Sequence, residues 1–400
     1  MKIIVYAHQL ELGGTQVNAI ELAVALRDRH GFTPTLFATP GPAVELAQKE
    51  RLRFIPAPDA RFHPSLGRMR ALRAAINEEK PDLVYAWDWW QGLEAYYSVH
   101  LPTNLPIAIT DMMMDPTRVL PREIPTTFGT PKVLRQAISA GWLRPSLLLP
   151  PVDIGANAPG AADGGEFRAA LGIAQNEILI VSVSRLSGPM KTNPLKEAIK
   201  ALHRLGRQLP LKLLIVGEGY SRSALGAMAA EVNHALGRSA VVLVGPLVDP
   251  RPAYAAAQIV LGMGGSALRA MAFGKPVIIL GADGFAKIFS AESAGLFHDQ
   301  GMFGWEGGGV NSRSLERALI QLSPDRSAQA SLGAFGRDYV TRVHSMDVVS
   351  RSLADFCVSA AAISPRSWRN IWHTARTSLI YLKERRFMCA SRDLRRSETR

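Results

Sequence analysis

The chain has 400 residues, 47% of them apolar, and a formal net charge of +12 from 46 Lys and Arg against 34 Asp and Glu. This apolar content excludes a disordered chain, and the length predicts two or three domains with large cores. The two cysteines, Cys357 and Cys389, lie too far apart in sequence to indicate a disulfide framework or a zinc-ligand cluster, which fits a reducing compartment.

The amino-terminal stretch MKIIVYAHQLELGG has one lysine and a short apolar run that leads directly into Gly13 and Gly14. It lacks the small-residue cleavage pattern of a signal peptide and is typical of a first strand. No stretch approaches the roughly 18 apolar residues that a membrane span needs. We therefore expect a cytoplasmic protein that is soluble or bound only at the inner membrane surface.

Apolar runs and helical periods alternate over residues 1–150, which predicts a doubly wound, Rossmann-like α/β domain. Ligands of such domains bind at the carboxyl ends of the strands. Gly13, Gly14, Asp88 and Asp111 all fall at such ends. The predicted strands are Lys2–Ala7, Thr33–Ala38, Phe54–Pro56, Leu83–Ala86, Ile107–Thr110 and Leu147–Leu149, and the predicted helices begin at Thr15, Ala43 and Leu66.

Residues 150–165 are rich in Pro, Gly and Ala and have no hydrophobic period, which indicates a domain linker. A second alternating series follows over residues 166–345, and residues 346–400 form a helical segment with a basic tail. We expect two Rossmann-like domains that face a cleft, the usual place for a ligand. The predicted elements of the second series are strands Ile178–Val183, Leu211–Val216, Val241–Val244 and Val277–Leu280 and helices Asn193–Gln208, Ser223–Leu236 and Arg251–Ala257.

The stretch Ile259–Leu280 is one βαβ step, with a glycine-rich loop between its first strand and its helix. Ser266 is predicted as the N-cap of that helix, and Arg269 adds a cation on its first turn. A glycine loop that feeds a helix start lets backbone N–H groups approach a phosphate closely. Ordinary turn chemistry explains the same glycines, so both interpretations stay open.

At this point the sequence resembles the glycosyltransferases of the GT-B fold, in particular the family-4 class of retaining, nucleotide-sugar-dependent enzymes. The resemblance covers roughly residues 1–355 and depends on the order of its motifs. Those motifs are Gly13-Gly14, Pro81-Asp82-Leu83-Val84, Pro151-Val152-Asp153, VSVSRL (Val181–Leu186) with Lys191, LIVGEG (Leu214–Gly219), VLVGPL (Val242–Leu247) and RAMAFGKPVI (Arg269–Ile278).

The resemblance implies that Arg185 and Lys191 hold the donor diphosphate, where preorganised cations stabilise the charge of the departing nucleotide. It also implies that the loop Gly245–Val248 borders the nucleobase, and that neither a metal nor another cofactor is needed. Solvated surface cations and plain turns are the competing interpretations. The full set of predicted donor-binding residues is Gly13, Gly14, Arg185, Lys191, Gly217, Glu218, Leu247, Gly264, Gly265, Ser266 and Arg269.

The sequence departs from the family in two places. The family's paired glutamates before the Ala-Met-Ala helix are missing, since Arg269 takes the second position and no acid lies between Ile259 and Lys275. The usual first-domain histidine is replaced where Thr110 leads into Asp111. Three explanations remain open: an active, divergent transferase, which we favour; a degenerate protein that binds nucleotide or glycan without turnover; and a sugar-nucleotide epimerase.

The acceptor is predicted to be a glycan or a lipid-linked sugar near Asp88, the carboxylate within AWDWWQG. Tryptophan rings stack on the apolar face of a sugar while a carboxylate binds its hydroxyls. Core packing is the alternative for Trp87 and Trp90. Asp111 and Asp115 are the other acceptor-side candidates, against the alternatives of a helix cap and a turn, and the predicted catalytic residues are Asp88 and Asp111.

Ten Lys and Arg between Arg366 and Arg400, against three Asp and Glu, supply about half of the net charge. Residues 367–386 predict an amphipathic helix, which suits an anionic membrane surface, docking on the first domain or contact with a partner protein. Nucleic acid is disfavoured as a partner because no recognition motif accompanies the charge. The predicted apolar face carries Trp368, Ile371, Trp372, Ala375, Leu379 and Leu382, and the basic face carries Arg369, Arg376, Lys383 and Arg386.

Overall fold

The computed structural model describes residues 1–11, 13–60, 62–305, 313–363 and 374–383. The chain divides into two compact units. Unit 1 comprises Met1–Leu149 together with the carboxyl-terminal residues from Val349 onward, and unit 2 comprises Pro150–Val348. The described residues of the predicted segment 346–400 therefore belong, from Val349 onward, to the same unit as the first 149 residues.

Unit 1 is built on a parallel seven-stranded sheet in the order β3-β2-β1-β4-β5-β6-β7. Its central strands are buried apolar runs, which is expected where helices cover both faces of a parallel sheet. The strands are β1 Lys2–Tyr6, β2 Thr33–Ala38, β3 Arg53–Pro56, β4 Leu83–Trp87, β5 Ile107–Asp111, β6 Thr126–Phe128 and β7 Pro145–Leu147. The helices are α1 Gly14–His30, α2 Val44–Lys49, α3 Leu66–Glu79, α4 Trp89–Ala95 continued by a π-helical turn Tyr96–His100, α5 Leu101–Thr103 and α6 Pro131–Ser139.

Unit 2 repeats this plan with a six-stranded sheet in the order β10-β9-β8-β11-β12-β13, in which β13 alone pairs antiparallel. The strands are β8 Ile178–Val183, β9 Leu211–Val216, β10 Val241–Gly245, β11 Ile259–Gly262, β12 Val277–Leu280 and β13 Ala286–Ile288. The helices are α7 Gly164–Ala170, α8 Pro189–Leu205, α9 Arg222–Leu236, α10 Arg251–Ala256, α11 Gly265–Ala272, α12 Ala291–Gln300, α13 Ser314–Leu322 and α14 Arg326–Val343, and α15 Met346–Ala361 leads into unit 1.

These two sheets confirm the predicted fold class of two doubly wound α/β domains. In each sheet the chain order reverses beside the first strand, between β1 and β4 in unit 1 and between β8 and β11 in unit 2. Loops that leave two such strands diverge to opposite faces and open a crevice between them. Each unit therefore offers one natural ligand site, at the carboxyl ends of these paired strands.

The predicted linker is only partly irregular. Asp163 caps α7, because its carboxylate accepts hydrogen bonds from the backbone N–H groups of Gly165 and Glu166 at 2.8 and 2.9 Å. Nearer the unit boundary, Val152 pairs with Ser345 in an isolated bridge. The segment that enters unit 2 is thus bonded to the segment that leaves it.

Candidate functional site

The switch point of unit 2 holds a small cavity between the ends of β8 and β11. Ser182 and Ser184 line it from the β8 side, Gly262 and Ser266 from the β11 side, and Lys191 reaches it from the first turn of α8. Two of the predicted donor-binding residues, Lys191 and Ser266, therefore meet in one cavity although 75 positions separate them in the sequence.

Lys191 carries a positive charge in an unfavourable environment. Its side chain is partly buried at the amino-terminal turn of α8, and burial lowers its pKa, with the nearby Arg185 guanidinium adding to the effect. Among the described residues, no carboxylate forms an ion pair with either cation. Two cations and a helix amino terminus without a counter-ion are arranged to attract a polyanion.

The prediction that Ser266 caps its helix is wrong. Gly264 is the N-cap of α11, with φ +55, and Ser266 lies inside the first turn. The Ser266 hydroxyl instead donates to the carbonyl of Met263 at 3.0 Å and accepts from its N–H at 3.2 Å. Glycine takes the cap position because the backbone there adopts a conformation that side chains disfavour.

The first turn of α11 leaves donors available. Within the described part of the chain, the N–H groups of Gly265 and Ser266 bond to no protein acceptor. Arg269 lies in the last turn of α11 and not in the first as predicted, because the helix begins at Gly265. Its side chain folds back over the first turn, with a guanidinium nitrogen 3.4 Å from where a Cβ on Gly265 would lie. Free amides, a helix terminus and an arginine together form the arrangement that binds phosphate groups in proteins.

The glycines after β9 shape the loop that carries Arg185. Gly217 has φ +145, and a Cβ there would lie 1.9 Å from the carbonyl oxygen of Ser184. At Gly219, φ is +153 and a Cβ would lie 2.4 Å from the Leu186 carbonyl oxygen. These contacts support the turn interpretation of both glycines, because they let two backbone loops pack directly together.

Glu218 and Leu247, which are also predicted donor-binding residues, do not line this cavity. Glu218 is exposed and pairs with Arg222, with 3.0 Å between carboxylate and guanidinium. Leu247 packs half-buried against the apolar core of unit 2, while the neighbouring Val248 is fully exposed. The Gly245–Val248 loop thus presents one apolar side chain to solvent at the end of β10.

In unit 1 the switch point holds a histidine–carboxylate pair. His8 follows β1, Asp88 follows β4, and 2.8 Å separates His8 Nε2 from an Asp88 carboxylate oxygen. The other carboxylate oxygen accepts from the N–H of Trp89 at 2.7 Å, and so caps α4. Asp88 adopts φ +93, a conformation that costs a non-glycine residue energy and that concentrates at functional sites.

The helix that Asp88 caps, α4, carries two aromatic rings and a buried carboxylate. Trp89 stacks on Trp90 with ring centroids 3.5 Å apart, and Trp90 lies 4.6 Å from the ring of His63. Trp87 is buried, as its core interpretation predicts. Fully buried Glu94 accepts from the hydroxyl of Tyr6 and from the Ser65 N–H.

Sequence reasoning missed His8 and Glu94. The sequence separates His8 from Asp88 by 80 positions, and a single histidine after a strand carries no motif. The only available signal was position, since both residues directly follow buried strands that the chain order makes neighbours. Glu94 gives no signal at all, because a glutamate within a short helix is usually solvated.

Asp111, the other predicted catalytic residue, anchors its own loop. It is fully buried, and its carboxylate accepts from the backbone and hydroxyl of Thr117 at 2.7 and 2.9 Å and from the Met113 N–H at 3.2 Å. Burial is the main cause that raises its pKa to about 6, with the Asp88 charge contributing in the same direction. Asp115 is exposed and accepts from Gln136 at 3.3 Å.

Gly13 and Gly14 begin α1 from the same edge of the sheet. Gly13 is the N-cap, with an extended backbone. A Cβ on Gly13 would meet only the flexible Gln16 side chain, and one on Gly14 would meet nothing within 4 Å. Open space over a helix start is compatible with the predicted approach to donor phosphates, which stays a prediction.

The described part of the predicted tail helix, residues 374–383, docks on unit 1. Thr374 and Ser378 hydrogen bond to the hydroxyls of Tyr96 and Tyr97 at 2.8 and 2.9 Å, and Tyr381 donates to the carbonyl of His63. Residues 374–383 therefore follow the docking interpretation of the tail helix. The apolar side chains of Ala375, Leu379 and Leu382 are nevertheless exposed. The predicted positions Trp368, Arg369, Ile371, Trp372 and Arg386 lie outside the described residues.

Every helix in the described ranges is too short or too polar to cross a bilayer. In the same ranges, no group of three His, Cys, Asp or Glu side chains is arranged to hold a metal ion.

Comparisons with known proteins point to one family. Residues 177–322 match the family model described as glycosyl transferases group 1, and residues 12–133 match the model described as glycosyltransferase family 4. No curated protein matches the sequence.

Solved structures match over nearly the whole chain. The structure of Anabaena HepE in complex with UDP and glucose has a TM-score of 0.69 at 17% identity, over 90% of this chain and 100% of that one. A glycosyltransferase from Rickettsia africae has a TM-score of 0.72 at 14% identity, over 91% and 99%. The Neisseria meningitidis UDP-GlcNAc 2-epimerase bound to UDP-GlcNAc has a TM-score of 0.60 at 13% identity, over 90% and 100%.

Proposed function

Because the chain belongs to the group 1 glycosyltransferases of the GT-B fold, we propose that it transfers a glycosyl unit from a nucleotide sugar to a glycan or lipid-linked acceptor. Unit 2 binds the donor diphosphate and unit 1 binds the acceptor. The observation that carries this proposal is the cavity of unit 2, which Lys191 and Ser266 both line. Among the described residues, Lys191 has no counter-ion, and the N–H groups of Ser266 and of its neighbour Gly265 have no acceptor.

The groups around this cavity suit the chemistry of glycosyl transfer. When the glycosidic bond breaks, negative charge grows on the departing diphosphate, and fixed cations and amides stabilise that charge without reorganising. Arg185 adds a cation from the loop after β8, and Arg269 adds one from α11. A donor anion would also relieve the cost of burying Lys191, because it replaces the water that burial removes.

The finer parts of the proposal rest on the family resemblance. They are transfer of a hexosyl unit, retention at the anomeric carbon, a place in polysaccharide biosynthesis and action in the cytoplasm. We also propose that the carboxyl-terminal segment touches an anionic membrane surface, supported by the exposed Leu379 and Leu382 and by the basic sequence that follows.

Lys191→Met tests the donor site, with Lys200→Met as the matched control on the same helix. Lys200 is exposed and pairs only with Glu197, so its loss leaves binding unchanged. We expect Lys191→Met to weaken nucleoside diphosphate binding and to lower kcat/KM roughly 10- to 100-fold, the effect of removing one charged hydrogen-bond donor. Its thermal stability should stay equal or rise, because an uncompensated buried charge is removed.

The assay incubates the full chain with UDP-, GDP- and dTDP-sugars and follows nucleotide release and sugar transfer. Release that Lys191→Met and Arg185→Ala both diminish supports the transferase. Binding without turnover supports the degenerate protein, and an epimerised donor supports the epimerase. Equal binding by wild type and Lys191→Met contradicts the proposed donor site.

A further inference from the structure

We propose that unit 2 has a second anion site, which binds the phosphate group of a small phosphomonoester between Arg168 and Lys275. The site is a cavity of about 270 Å³ between α7, the end of α10 and the turn that joins α11 to β12. This volume is just below the range of about 300–1,000 Å³ that is usual for small-molecule sites, so the ligand is small. The inference does not depend on the proposed function, because no donor and no transfer step enter it.

The cavity lies at the opposite edge of the sheet from the donor cavity. Ala256 comes shortly before β11 and Lys275 shortly before β12, so both residues mark the amino ends of these parallel strands. The donor cavity is instead lined by residues at the carboxyl end of β11. Helix α11 begins at Gly265 beside the donor cavity and ends directly before Phe273, which lines the second one. A helix of this length spans about 12 Å, so the two cavities are separate.

Lys275 brings a half-buried ammonium group to this cavity. Its Nζ donates to the carbonyl oxygen of Ala255 at 2.7 Å, which uses one of its three N–H groups. Burial lowers the pKa of Lys275, and the charge of Arg168 acts in the same direction. Among the described residues, no carboxylate opposes these two effects. An anion in the cavity would do so, because a nearby negative charge favours the protonated ammonium group.

Arg168 is held in place by backbone carbonyl groups. Its terminal nitrogens donate to the carbonyl oxygens of Ala174 and Glu177 at 2.7 and 2.9 Å, and to that of Ala256 at 3.4 Å. Within the described part of the chain, its Nε–H bonds to no acceptor. The Glu177 carboxylate acts on Arg168 by charge but pairs with Lys212, at 3.2 Å. The guanidinium group therefore keeps a free donor, and its fixed orientation lowers the cost of binding an oxyanion.

The rest of the lining favours a phosphomonoester. None of the described residues that line the cavity is acidic. The neighbouring Asp163 directs its carboxylate to the N–H groups of Gly165 and Glu166 instead. Two cations match a phosphomonoester, which carries a charge of about −1.5 to −2 at pH 7, better than they match a single carboxylate. Apolar side chains, among them Pro159 and Phe273, line the remaining space and would contact the organic part of the ligand.

Lys275→Met and Ala255→Asp test the site by calorimetric titration of the full chain with inorganic phosphate and with phenyl phosphate. Methionine keeps the length of the side chain and removes its charge, whereas Ala255→Asp adds a carboxylate to the lining and removes no native side-chain bond. We expect Lys275→Met to weaken phenyl phosphate binding about 10- to 100-fold, the effect of losing one charged hydrogen bond. Ala255→Asp should also weaken it, because like charges repel. Lys200→Met, at an exposed position on α8, is the control and should match wild type.

Lys191→Met separates this site from the donor cavity, which also attracts phosphate. It should keep the phosphate binding that Lys275→Met loses, because Lys191 lines only the donor cavity. Phenyl phosphate should bind more tightly than inorganic phosphate, since its ring fills the apolar part of the cavity, and phenol should not bind.

The outcomes distinguish this inference from the proposed function. The site is overturned if wild type binds neither probe, if Lys191→Met abolishes all phosphate binding, or if either Lys275→Met or Ala255→Asp is folded by circular dichroism and keeps wild-type affinity. Equal affinity for phenyl phosphate and inorganic phosphate overturns the assignment to a phosphomonoester. A wild-type chain that releases no nucleotide from any donor refutes the transferase and leaves this site standing.

Discussion

Acid should destabilise unit 2 through the buried His344, which bonds the last segment of this unit to its first. His344 is 2% exposed, and its Nδ1 bonds to the carbonyl oxygen of Pro150 at 2.8 Å. Its Nε2 is buried and has no hydrogen-bond partner among the described residues. Burial lowers the pKa of His344 to about 4, with nearby His298 acting in the same direction and the Pro150 bond opposing it.

The sign of the effect follows from the two pKa values of His344. In the unfolded chain it takes its usual value of about 6.5, so between pH 6.5 and 4 the unfolded state binds a proton that the folded state does not. Stability present above pH 6.5 is therefore lost as the pH falls. A gap of about 2.5 pKa units corresponds to roughly 3 kcal/mol, of which about 2 kcal/mol is lost by pH 5.

The measurement compares urea unfolding of wild type and His344→Asn at pH 7 and pH 5. Asparagine keeps an N–H that can reach Pro150 and does not titrate, so it isolates the protonation of His344. His234→Asn, at an exposed site on α9, is the control. Between pH 7 and pH 5 the free energy of unfolding of wild type should fall by about 2 kcal/mol more than that of His344→Asn. Parallel losses in both proteins would refute the reasoning.

Hydrogen exchange offers a local reading of the same event. The N–H of Val152 bonds to the His344 carbonyl at 2.7 Å, and the N–H of Met346 bonds to the Val152 carbonyl at 3.1 Å. If charging His344 opens this junction, these amides should lose protection at pH 5 in wild type after correction for the intrinsic exchange rate. They should keep it in His344→Asn.

Two further predictions concern the donor loops and the tail. Gly217→Ala should cost roughly 3 kcal/mol and weaken donor binding, because its Cβ would meet the Ser184 carbonyl at φ +145, whereas Gly226→Ala on α9, with open space around it, should stabilise by about 0.5–1 kcal/mol in urea unfolding. Leu379→Ser combined with Leu382→Ser should reduce co-sedimentation with anionic lipid vesicles and leave transfer to a soluble acceptor unchanged. Unchanged sedimentation would contradict the membrane contact.

Sequence reasoning predicted the central elements well because two-sided burial leaves a strong signal. Strands β8 and β9 were predicted with the bounds that the structure has, since each is a mainly apolar run, interrupted only by Ser182 or Lys212, that is bounded by polar residues, proline or glycine. The bounds of the three-residue strands were not predicted, because a strand as short as β6 shows no hydrophobic period. The last strand of unit 1 was predicted two residues late, at Leu147–Leu149 instead of Pro145–Leu147.

The candidate sites were predictable only in part. Chain order predicts which strand ends meet, and this placed Lys191 near the loop after β11. Helix starts were predicted less well than strands. For example, α8 begins at Pro189, four residues before its predicted start, and Lys191 therefore lies in a helical turn. The pairing of His8 with Asp88 depends on the register of β1 against β4, in which Tyr6 lies opposite Ala86, and no local pattern encodes it.

The absence of the family's glutamate pair changes the charge that the donor site presents. A carboxylate in place of Arg269 would partly neutralise the charge of Lys191, and would favour contacts to neutral hydroxyls of the donor. With Arg269 on the last turn of α11 instead, and no acid anywhere from Ile259 to Lys275, this segment presents cations and amides rather than carboxylates. Charge then dominates recognition, so the number of phosphate groups on a ligand should matter more to its affinity than its ribose hydroxyls do. The departure from the family pattern is therefore consistent with a retained donor site whose selectivity has moved toward the diphosphate.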